Sequence, residues 1–286
     1  MPLTPMPAAL PKLALEWHQA GKSVAIATVV RTWGSAPRPT GSQMVIDSAG
    51  AMEGSVSGGC VEGAVIAEAI DAIEEGKARL LTFGVSDDDA FAVGLACGGE
   101  VSVLVEPIGT ALPVALLAEL VSRRANAEPV AYVTNLASGG PVLQPAQAFP
   151  ERFQMDHSGV EEDGQTFVCI HSPPLRLAIV GAVHIAQHLA PMARACGYAP
   201  IIIDPRSAFA APERFMDETI IDVWPDAALD ALGLDARTAV VTLSHDPKLD
   251  DPAIMTALRS DAFYIGCLGS KRTHAKRLER LKGAGF

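Results

Sequence analysis

The chain has 286 residues, with 22 lysine and arginine residues against 33 aspartate and glutamate residues, and a formal net charge of −11. Hydrophobic residues make up 49% and charged residues 19%, which predicts a globular protein and excludes a disordered chain. The acidic balance argues against nucleic acid as a partner, because phosphate contacts need a basic face. No apolar run approaches the roughly 20 residues that span a bilayer, and the first residues do not resemble a signal peptide. We therefore expect a cytoplasmic protein with no membrane partner.

The first part of the chain mixes helix and strand patterns irregularly. In chain order, apolar periodicity predicts a helix over 9–20, strands over 24–30 and 43–47, a helix over 61–73, strands over 79–83 and 101–105, and a helix over 112–124. Glycine, proline and acidic residues then dominate, which predicts a linker over 136–170 that leaves room for one short hairpin. We therefore expect an N-terminal mixed α/β domain over 1–135 and a second domain over 171–286.

Beyond residue 170, strands and helices alternate regularly. The pattern predicts strands over 175–180, 200–203, 219–222, 239–243 and 263–266, with helices over 183–195, 226–232 and 252–258. Such alternation implies parallel pairing with right-handed crossovers. The fold class we predict is α/β, with a C-terminal Rossmann-like doubly wound parallel sheet. Ligands of such sheets bind beyond the carboxyl ends of the strands.

The loop after the first strand of this sheet is similar to a dinucleotide-binding turn. Gly181 and Ala186 match the first and third small residues, but Val183 stands where the backbone approaches a pyrophosphate. Asp204 follows Gly181 at an interval of 204 − 181 = 23 residues, close to the usual position of a ribose-binding carboxylate. The pattern predicts a nucleotide site, while a turn that only packs remains an alternative.

A cationic loop lies at the last strand end of the same sheet. Gly269 and Ser270 precede Lys271 and Arg272 at the start of a basic helix, and hydroxyls, cations and free amides there suit a phosphate. We expect Arg206, which follows Asp204 at what we take to be a neighbouring strand end, to reach the same crevice. A solvated basic helix face would give the same pattern. His245 lies in another edge loop, and a single histidine in a loop is more often structural than catalytic.

Two cysteines in the first domain lie beside glycine pairs. The sequence contains Gly58-Gly59-Cys60 and Cys97-Gly98-Gly99. Glycines leave backbone amides unobstructed, so that an anion or a flat ligand can approach. Cys60 also precedes a predicted helix, whose dipole stabilises a thiolate. Inert buried thiols in tight turns remain the alternative, and no CxxC pair encodes a local zinc site or redox couple.

The loop over 31–41 follows the first predicted strand. It contains Arg31, Trp33 and Arg38 together with prolines and hydroxyl residues. Two guanidinium groups and an indole in a stiff loop can hold an anionic ligand with a planar ring. By composition alone, an ordinary exposed loop fits equally well.

Together these motifs resemble the xanthine dehydrogenase accessory protein family, also called the XdhC/CoxI family. The resemblance rests on the segments 34–39, 54–63, 94–99, 179–186, 204–206, 245–251 and 264–272. It implies a chaperone for molybdenum cofactor, in the molybdopterin or the dinucleotide form. Such a chaperone protects the cofactor during sulfuration by a cysteine desulfurase and delivers it to a xanthine dehydrogenase-type molybdoenzyme. It implies a maturation factor without turnover of its own, and a homodimer is left open.

The resemblance also implies cofactor-binding residues in both domains and no catalytic residue. These are Arg38, Gly58, Gly59, Cys60, Cys97, Gly98 and Gly99 in the first domain, and Gly181, His184, Asp204, Arg206, Gly269, Ser270 and Arg272 in the second. Cys60 and Cys97 are the candidates for contact with molybdenum or for carrying a persulfide, because thiolates are soft, nucleophilic ligands.

The sequence departs from the family pattern at Val183, where the family usually has glycine, and it ends at Phe286, where the family usually continues. Two other functions therefore stay open. One is an NAD(P)-dependent oxidoreductase that uses Gly181 and Asp204, although Val183 and the lack of a hydride-transfer constellation count against it. The other is a scaffold that contacts the hydroxylase and the desulfurase through its acidic surface.

Overall fold

The computed structural model describes residues 10–84 and 99–286. Contacts divide the chain into two compact units, Met1–Pro173 and Pro174–Phe286. None of the described helices has the length and apolar character that a membrane span requires. The predicted fold class is confirmed: an antiparallel mixed α/β region is followed by a parallel five-stranded sheet.

The first unit is built on a five-stranded antiparallel sheet in the order β3-β2-β1-β5-β4. Its strands are β1 (Val24–Trp33), β2 (Gln43–Asp47), β3 (Met52–Gly54), β4 (Arg79–Phe83) and β5 (Glu100–Pro107), and its helices are α1 (Leu10–Gln19), α2 (Glu62–Glu75) and α3 (Val114–Ala125). Alternate residues of β1 point to opposite faces. Val24 and Ile26 pack with α1 and α3, and Ala25 and Ala27 pack with α2. Burial on both faces explains the continuous apolar run of β1.

The segment expected to be a linker over 136–170 is folded, which corrects that expectation. It contributes most of a second antiparallel sheet, in the order β7-β6-β9-β8. The elements are β6 (Val130–Asn135), β7 (Gly139–Pro145), α4 (Pro150–Met155), β8 (Gly159–Val160) and β9 (Thr166–His171). Gly139 and Gly140 adopt left-handed backbone angles, with φ of 71° and 79°, as tight turns require. Phe167 is fully buried in the same core as Val24, so the short hairpin that the sequence left open is part of a packed four-stranded sheet.

The second unit is a parallel sheet in the order β12-β11-β10-β13-β14. Its strands are β10 (Leu175–Val180), β11 (Tyr198–Ile203), β12 (Thr219–Ile221), β13 (Thr238–Thr242) and β14 (Tyr264–Cys267), and its helices are α5 (His184–Ala195), α6 (Pro225–Leu232), α7 (Pro247–Leu258) and α8 (Lys271–Gly283). The strand order reverses at β10, so the loops after β10 and β13 meet at the crevice where such sheets bind ligands.

Helix α7 begins five residues earlier than the predicted start at 252. Asp246 is its N-cap, and the carboxylate of Asp246 accepts a hydrogen bond from the Lys248 amide at 2.9 Å. Pro247 occupies the first turn, where its missing N–H is harmless, and Pro252 lies inside the helix. The prediction took Pro252 as the first residue and overlooked the cap.

Candidate functional site

The glycine-rich loop before α2 wraps around the carboxylate of Glu62. Four backbone amides donate hydrogen bonds to that carboxylate: those of Val56 at 3.2 Å, Ser57 at 2.9 Å, Gly58 at 3.1 Å and Gly59 at 2.9 Å. The hydroxyls of Ser55, at 2.7 Å, and of Ser57 also donate to it. Burial opposes ionisation of Glu62, but the hydrogen bonds from Ser57 and Ser55 outweigh it and lower the pKa of Glu62 to about 2.

This arrangement corrects the expectation that Gly58 and Gly59 offer open amides to a cofactor. Both amides already donate to Glu62, so the loop is an anion-binding nest filled by the chain's own carboxylate. The two glycines remain necessary for shape, with φ of 78° and 114°. Sequence reasoning missed Glu62; an acidic residue in the first turn of a helix was the available signal.

The loop over 31–41 and the glycine motifs of the first unit come together, although they are far apart in sequence. A Cβ atom on Gly58 would lie 3.6 Å from the Pro37 side chain. A Cβ atom on Gly99 would lie 2.5 Å from the Ser35 carbonyl oxygen and 2.7 Å from that of Trp33. Close backbone packing therefore explains Gly99 without a ligand. Cys97 and Gly98 lie outside the described residues.

Three residues that were predicted to contact the cofactor lie near the place where the loop over 31–41 meets the glycine motifs. Cys60 is half-buried, and its amide donates to Ser57 Oγ at 3.1 Å. Arg38 is half-buried, and its Nε is buried with no hydrogen-bond partner among the described residues. Trp33 is 73% exposed. Because a Cβ atom on Gly58 would meet the Pro37 side chain, Arg38 and Cys60 each lie within two residues of the same close approach.

In the second unit, Asp204 is completely buried. Its carboxylate accepts hydrogen bonds from the Ala182 amide at 2.9 Å and from the Arg206 amide, Nε and Nη2 at 3.0, 2.8 and 2.7 Å. Burial opposes ionisation, yet the hydrogen bonds from Arg206 and Ala182 prevail and lower the pKa of Asp204. Asp204 therefore supports the glycine turn and Arg206, and the expectation of an accessible ribose-binding carboxylate is corrected.

The glycine turn itself forms where it was predicted. Gly181 has φ of 105°, and a Cβ atom there would lie 3.0 Å from the Ser244 amide nitrogen, so the position requires glycine. Val183 has φ of −82° and packs, half-buried, against the cluster around Ile179. His184, the first residue of α5, is exposed, and its ring meets that of His188 edge-on at 4.8 Å.

We expect NAD(H) to bind with a dissociation constant above about 1 mM, which corresponds to a binding free energy no more favourable than about −4 kcal/mol. Val183 adds a side chain at the turn, and the carboxylate of Asp204 is already saturated. Isothermal titration calorimetry checks this, with Val183→Gly as the variant that separates the two causes. A micromolar affinity would contradict the prediction and favour the oxidoreductase alternative.

The loop after β13 carries an unusual backbone conformation. His245 has φ of 61°, a region that residues with a Cβ atom seldom adopt. Ser244 Oγ donates to Asp250 at 2.6 Å and accepts from the Asp246 amide at 3.1 Å. These bonds hold His245 in the turn that precedes α7.

Arg277 and Asp250 form a buried pair that sequence reasoning missed. Their side chains are 3% and 2% exposed, and Arg277 Nη2 lies 3.4 Å from the Asp250 carboxylate. Arg277 Nη2 also donates to the Leu268 carbonyl at 3.1 Å. The solvated basic helix face, which the sequence left open as an alternative, does not hold for Arg277, because this residue is buried. Leu281, four residues later on α8 and also buried, was the signal that this face points inward.

A cavity of about 210 Å³ lies beside this pair. It is lined by His245, Pro247, Asp250, Arg272, Thr273, Lys276, Arg277 and Arg280. Arg206 is not among the lining residues, because β10 and β13 separate β11 from β14 in the sheet. The expectation that Arg206 and Arg272 follow neighbouring strands is therefore wrong. Ser270 is the N-cap of α8, and its hydroxyl accepts from the Thr273 amide at 3.2 Å.

No group of three or more histidine, cysteine, aspartate or glutamate side chains that could hold a metal ion occurs within 10–84 and 99–286. The predicted contact of Cys60 and Cys97 with molybdenum remains a prediction, since a thiolate contact to a cofactor-borne metal needs no such group.

Each of the two units matches a known protein family. The model of the XdhC and CoxI family matches residues 17–84, and that of the XdhC Rossmann domain matches residues 177–286. The chain is 32% identical over 275 residues to the molybdenum cofactor insertion chaperone PaoD of Escherichia coli K12, covering 96% of this chain and 76% of PaoD. It is 25% identical over 280 residues to a probable xanthine dehydrogenase subunit of Bacillus subtilis 168, covering 90% of this chain and 81% of that one.

A crystal structure of a xanthine dehydrogenase from Bacillus halodurans has the same fold. The TM-score is 0.78 at 23% sequence identity, over 96% of this chain and 85% of that one. The two family models together cover more than half of the sequence, and they match the units in which the motifs of the predicted resemblance lie. The chain therefore belongs to the XdhC and CoxI family.

Proposed function

We propose that this protein binds molybdenum cofactor as cargo and delivers it to a xanthine dehydrogenase-type molybdoenzyme. The observation that carries the proposal is the similarity to PaoD, a molybdenum cofactor insertion chaperone, over 96% of the chain. Protection of the cofactor during sulfuration by a cysteine desulfurase, and binding of the molybdopterin or the dinucleotide form, are finer parts of the same proposal.

The first unit offers side chains that suit such a cargo. The Nε of Arg38 is buried and unpaired among the described residues, and leaving a buried donor without an acceptor is unfavourable. An anionic group of the cofactor would supply that acceptor. The thiol of Cys60 would face the soft metal and dithiolene end, and the exposed indole of Trp33 would cover the flat pterin.

Glu62 acts on this site through Ser57 and not by contact with the cargo. The Ser57 hydroxyl donates to Glu62 and accepts from the amides of Cys60, at 3.1 Å, and Val61, at 2.9 Å. This chain of hydrogen bonds fixes the backbone of Cys60 at the start of α2. Glu62 and Ser57 are therefore positioning residues in the proposed site.

Cofactor bound to the purified wild-type protein tests the proposal and its alternatives together. The protein is expressed in a host that makes molybdenum cofactor, and the released pterin is oxidised and measured by fluorescence. We expect pterin in the wild-type extract. Nicotinamide absorbance without pterin would favour the oxidoreductase, and neither signal would favour the scaffold. Mixing with a purified hydroxylase or desulfurase, followed by size-exclusion chromatography, tests the proposed partners and a homodimer.

Cys60→Ala is expected to lower the pterin content while leaving the melting temperature nearly unchanged, because the thiol is half-buried and alanine fits the same space. Cys97→Ala is expected to do the same if both thiols touch the cargo. Pterin fluorescence and thermal unfolding are measured on each variant. Cys196→Ala is the matched control, since Cys196 is an exposed thiol in the second unit. Wild-type pterin content in Cys60→Ala would restore the interpretation of an inert thiol.

A further inference from the structure

We infer that the cavity between the start of α7 and α8 is a binding site for a phosphate group. The cavity measures about 210 Å³, below the roughly 300–1,000 Å³ of pockets that enclose a whole drug-sized ligand. It has room for a compact oxyanion, with the remainder of a larger ligand outside. This inference goes beyond the proposed function, and it holds whether the phosphate is free or part of the cargo.

The charges around the cavity favour an anion. Arg280 is neutralised by Asp251, with Nη2 at 2.9 Å from the carboxylate, and Arg277 faces Asp250. Arg272 and Lys276 are exposed and have no ion-pair partner in the part of the chain that the structure describes. Two uncompensated cations therefore face one small cavity in a protein whose net charge is −11. Such a local field attracts anions regardless of the net charge.

Arg277 gives independent support for a bound acceptor. Its side chain is 3% exposed, and its Nε and Nη1 atoms are buried without a hydrogen-bond partner among the described residues. A guanidinium carries five N–H donors and no acceptor, so burial with unpaired donors is unfavourable. A phosphate oxygen entering the cavity that Arg277 lines would supply the missing acceptor.

The start of α8 adds further hydrogen-bond donors that favour an anion. This 13-residue helix begins at Lys271, and Ser270 satisfies the Thr273 amide. The remaining first-turn amides and the positive end of the helix dipole favour negative charge. Thr273 also lines the cavity. Arginine forks, a lysine and a helix N-terminus together match a multiply charged tetrahedral oxyanion better than a single carboxylate.

Titration with inorganic phosphate, followed by ³¹P NMR and calorimetry at constant ionic strength set with potassium chloride, tests the inference. We expect saturable binding to the wild-type chain, weakened about tenfold or more by Arg272→Ala and by Lys276→Ala. Lys282→Ala is the matched control: it removes one charge from an exposed residue of the same helix outside the cavity, and we expect unchanged affinity. Arg277→Met is expected to abolish binding if circular dichroism shows that it folds.

Two further measurements, on the pterin content of loaded protein, distinguish the source of the phosphate. If inorganic phosphate displaces pterin from loaded protein and Arg272→Ala lowers its pterin content, the cavity holds the phosphate of the cargo. If phosphate binds without changing the pterin content, the cavity takes phosphate from another source. No phosphate binding by the wild type, or equal weakening by Arg272→Ala and Lys282→Ala, would overturn the inference. Wild-type pterin content is measured separately, so either result leaves the test of the proposed function intact.

Discussion

Replacing Glu106 by glutamine is expected to raise the free energy of unfolding of the first unit by about 3 kcal/mol at pH 8. Glu106 is 4% exposed, and its carboxylate accepts a hydrogen bond from the Tyr132 hydroxyl at 2.6 Å. Burial raises the pKa of Glu106 from 4.5 to about 7, although the bond from Tyr132 favours the ionised form. Glutamine has no charge to bury and keeps a carbonyl oxygen for Tyr132.

The protonation of Glu106 determines how its contribution to the free energy of unfolding changes with pH. Between pH 4.5 and 7 the folded protein holds a proton on Glu106 that the unfolded chain has lost, because the folded pKa is the higher one. The contribution of Glu106 to stability therefore falls as pH rises through this window, and the full penalty is present above pH 7. The gain from Glu106→Gln should be largest at pH 8 and should vanish near pH 4.

Urea unfolding at pH 4 and pH 8 measures the difference. Tryptophan fluorescence reports on the first unit alone once Trp224→Phe removes the indole of the second unit, leaving Trp17 and Trp33. Glu128→Gln is the control, since Glu128 is exposed in the same unit. An equal effect of Glu106→Gln at both pH values would contradict the prediction.

Glu62→Ala is expected to destabilise the first unit by about 3 kcal/mol or more. The change leaves four backbone amides and two hydroxyls without their shared acceptor, and each buried donor left unpaired is unfavourable by roughly 1–3 kcal/mol before water compensates. The pKa of Glu62 is lowered to about 2. Its contribution is therefore present above the unfolded value of 4.5 and is lost as pH falls toward 2.

Thermal unfolding between pH 3 and pH 7 checks this prediction, with Glu74→Ala as the matched control on the same helix. Glu74 is exposed, so its removal should change the melting temperature little. Glu62→Gln keeps one acceptor oxygen and should fall between alanine and the wild type. A melting temperature of Glu62→Ala equal to that of Glu74→Ala would show that the loop does not depend on its carboxylate. Because Ser57 links Glu62 to Cys60, Glu62→Ala should also reduce bound pterin.

Sequence periodicity predicted the elements whose burial follows a simple pattern. The parallel sheet and its helices were found because its strands are short apolar runs, and the central strands β10 and β11 each end in four buried residues. Periodicity left only a short hairpin open in the segment of β7, because this strand is half-exposed and entered through glycines. Local composition there is the same in a linker and in a packed turn.

The site was less predictable, because the sequence does not show which hydrogen-bond partner a given amide or side chain has. The motif at Cys60 was found, but not that the amides of Gly58 and Gly59 point at Glu62. Asp204 was found at the right strand end, but its burial depends on Arg206 folding back over it. Strand neighbours also cannot be read from chain order when crossovers run in both directions, which is why Arg206 and Arg272 were placed together.

The position of β10 and β13 between β11 and β14 sets the backbone distance between the loops that carry Arg206 and Arg272. Three inter-strand spacings of about 4.8 Å put the ends of β11 and β14 about 14 Å apart. A compact phosphate beside the backbone of one loop therefore does not touch the backbone of the other, whereas an extended molecule with charged groups at both ends can contact both. The width of the sheet therefore separates ligands by length, and a short mononucleotide tail and a long dinucleotide tail would differ in how many of the edge loops they contact.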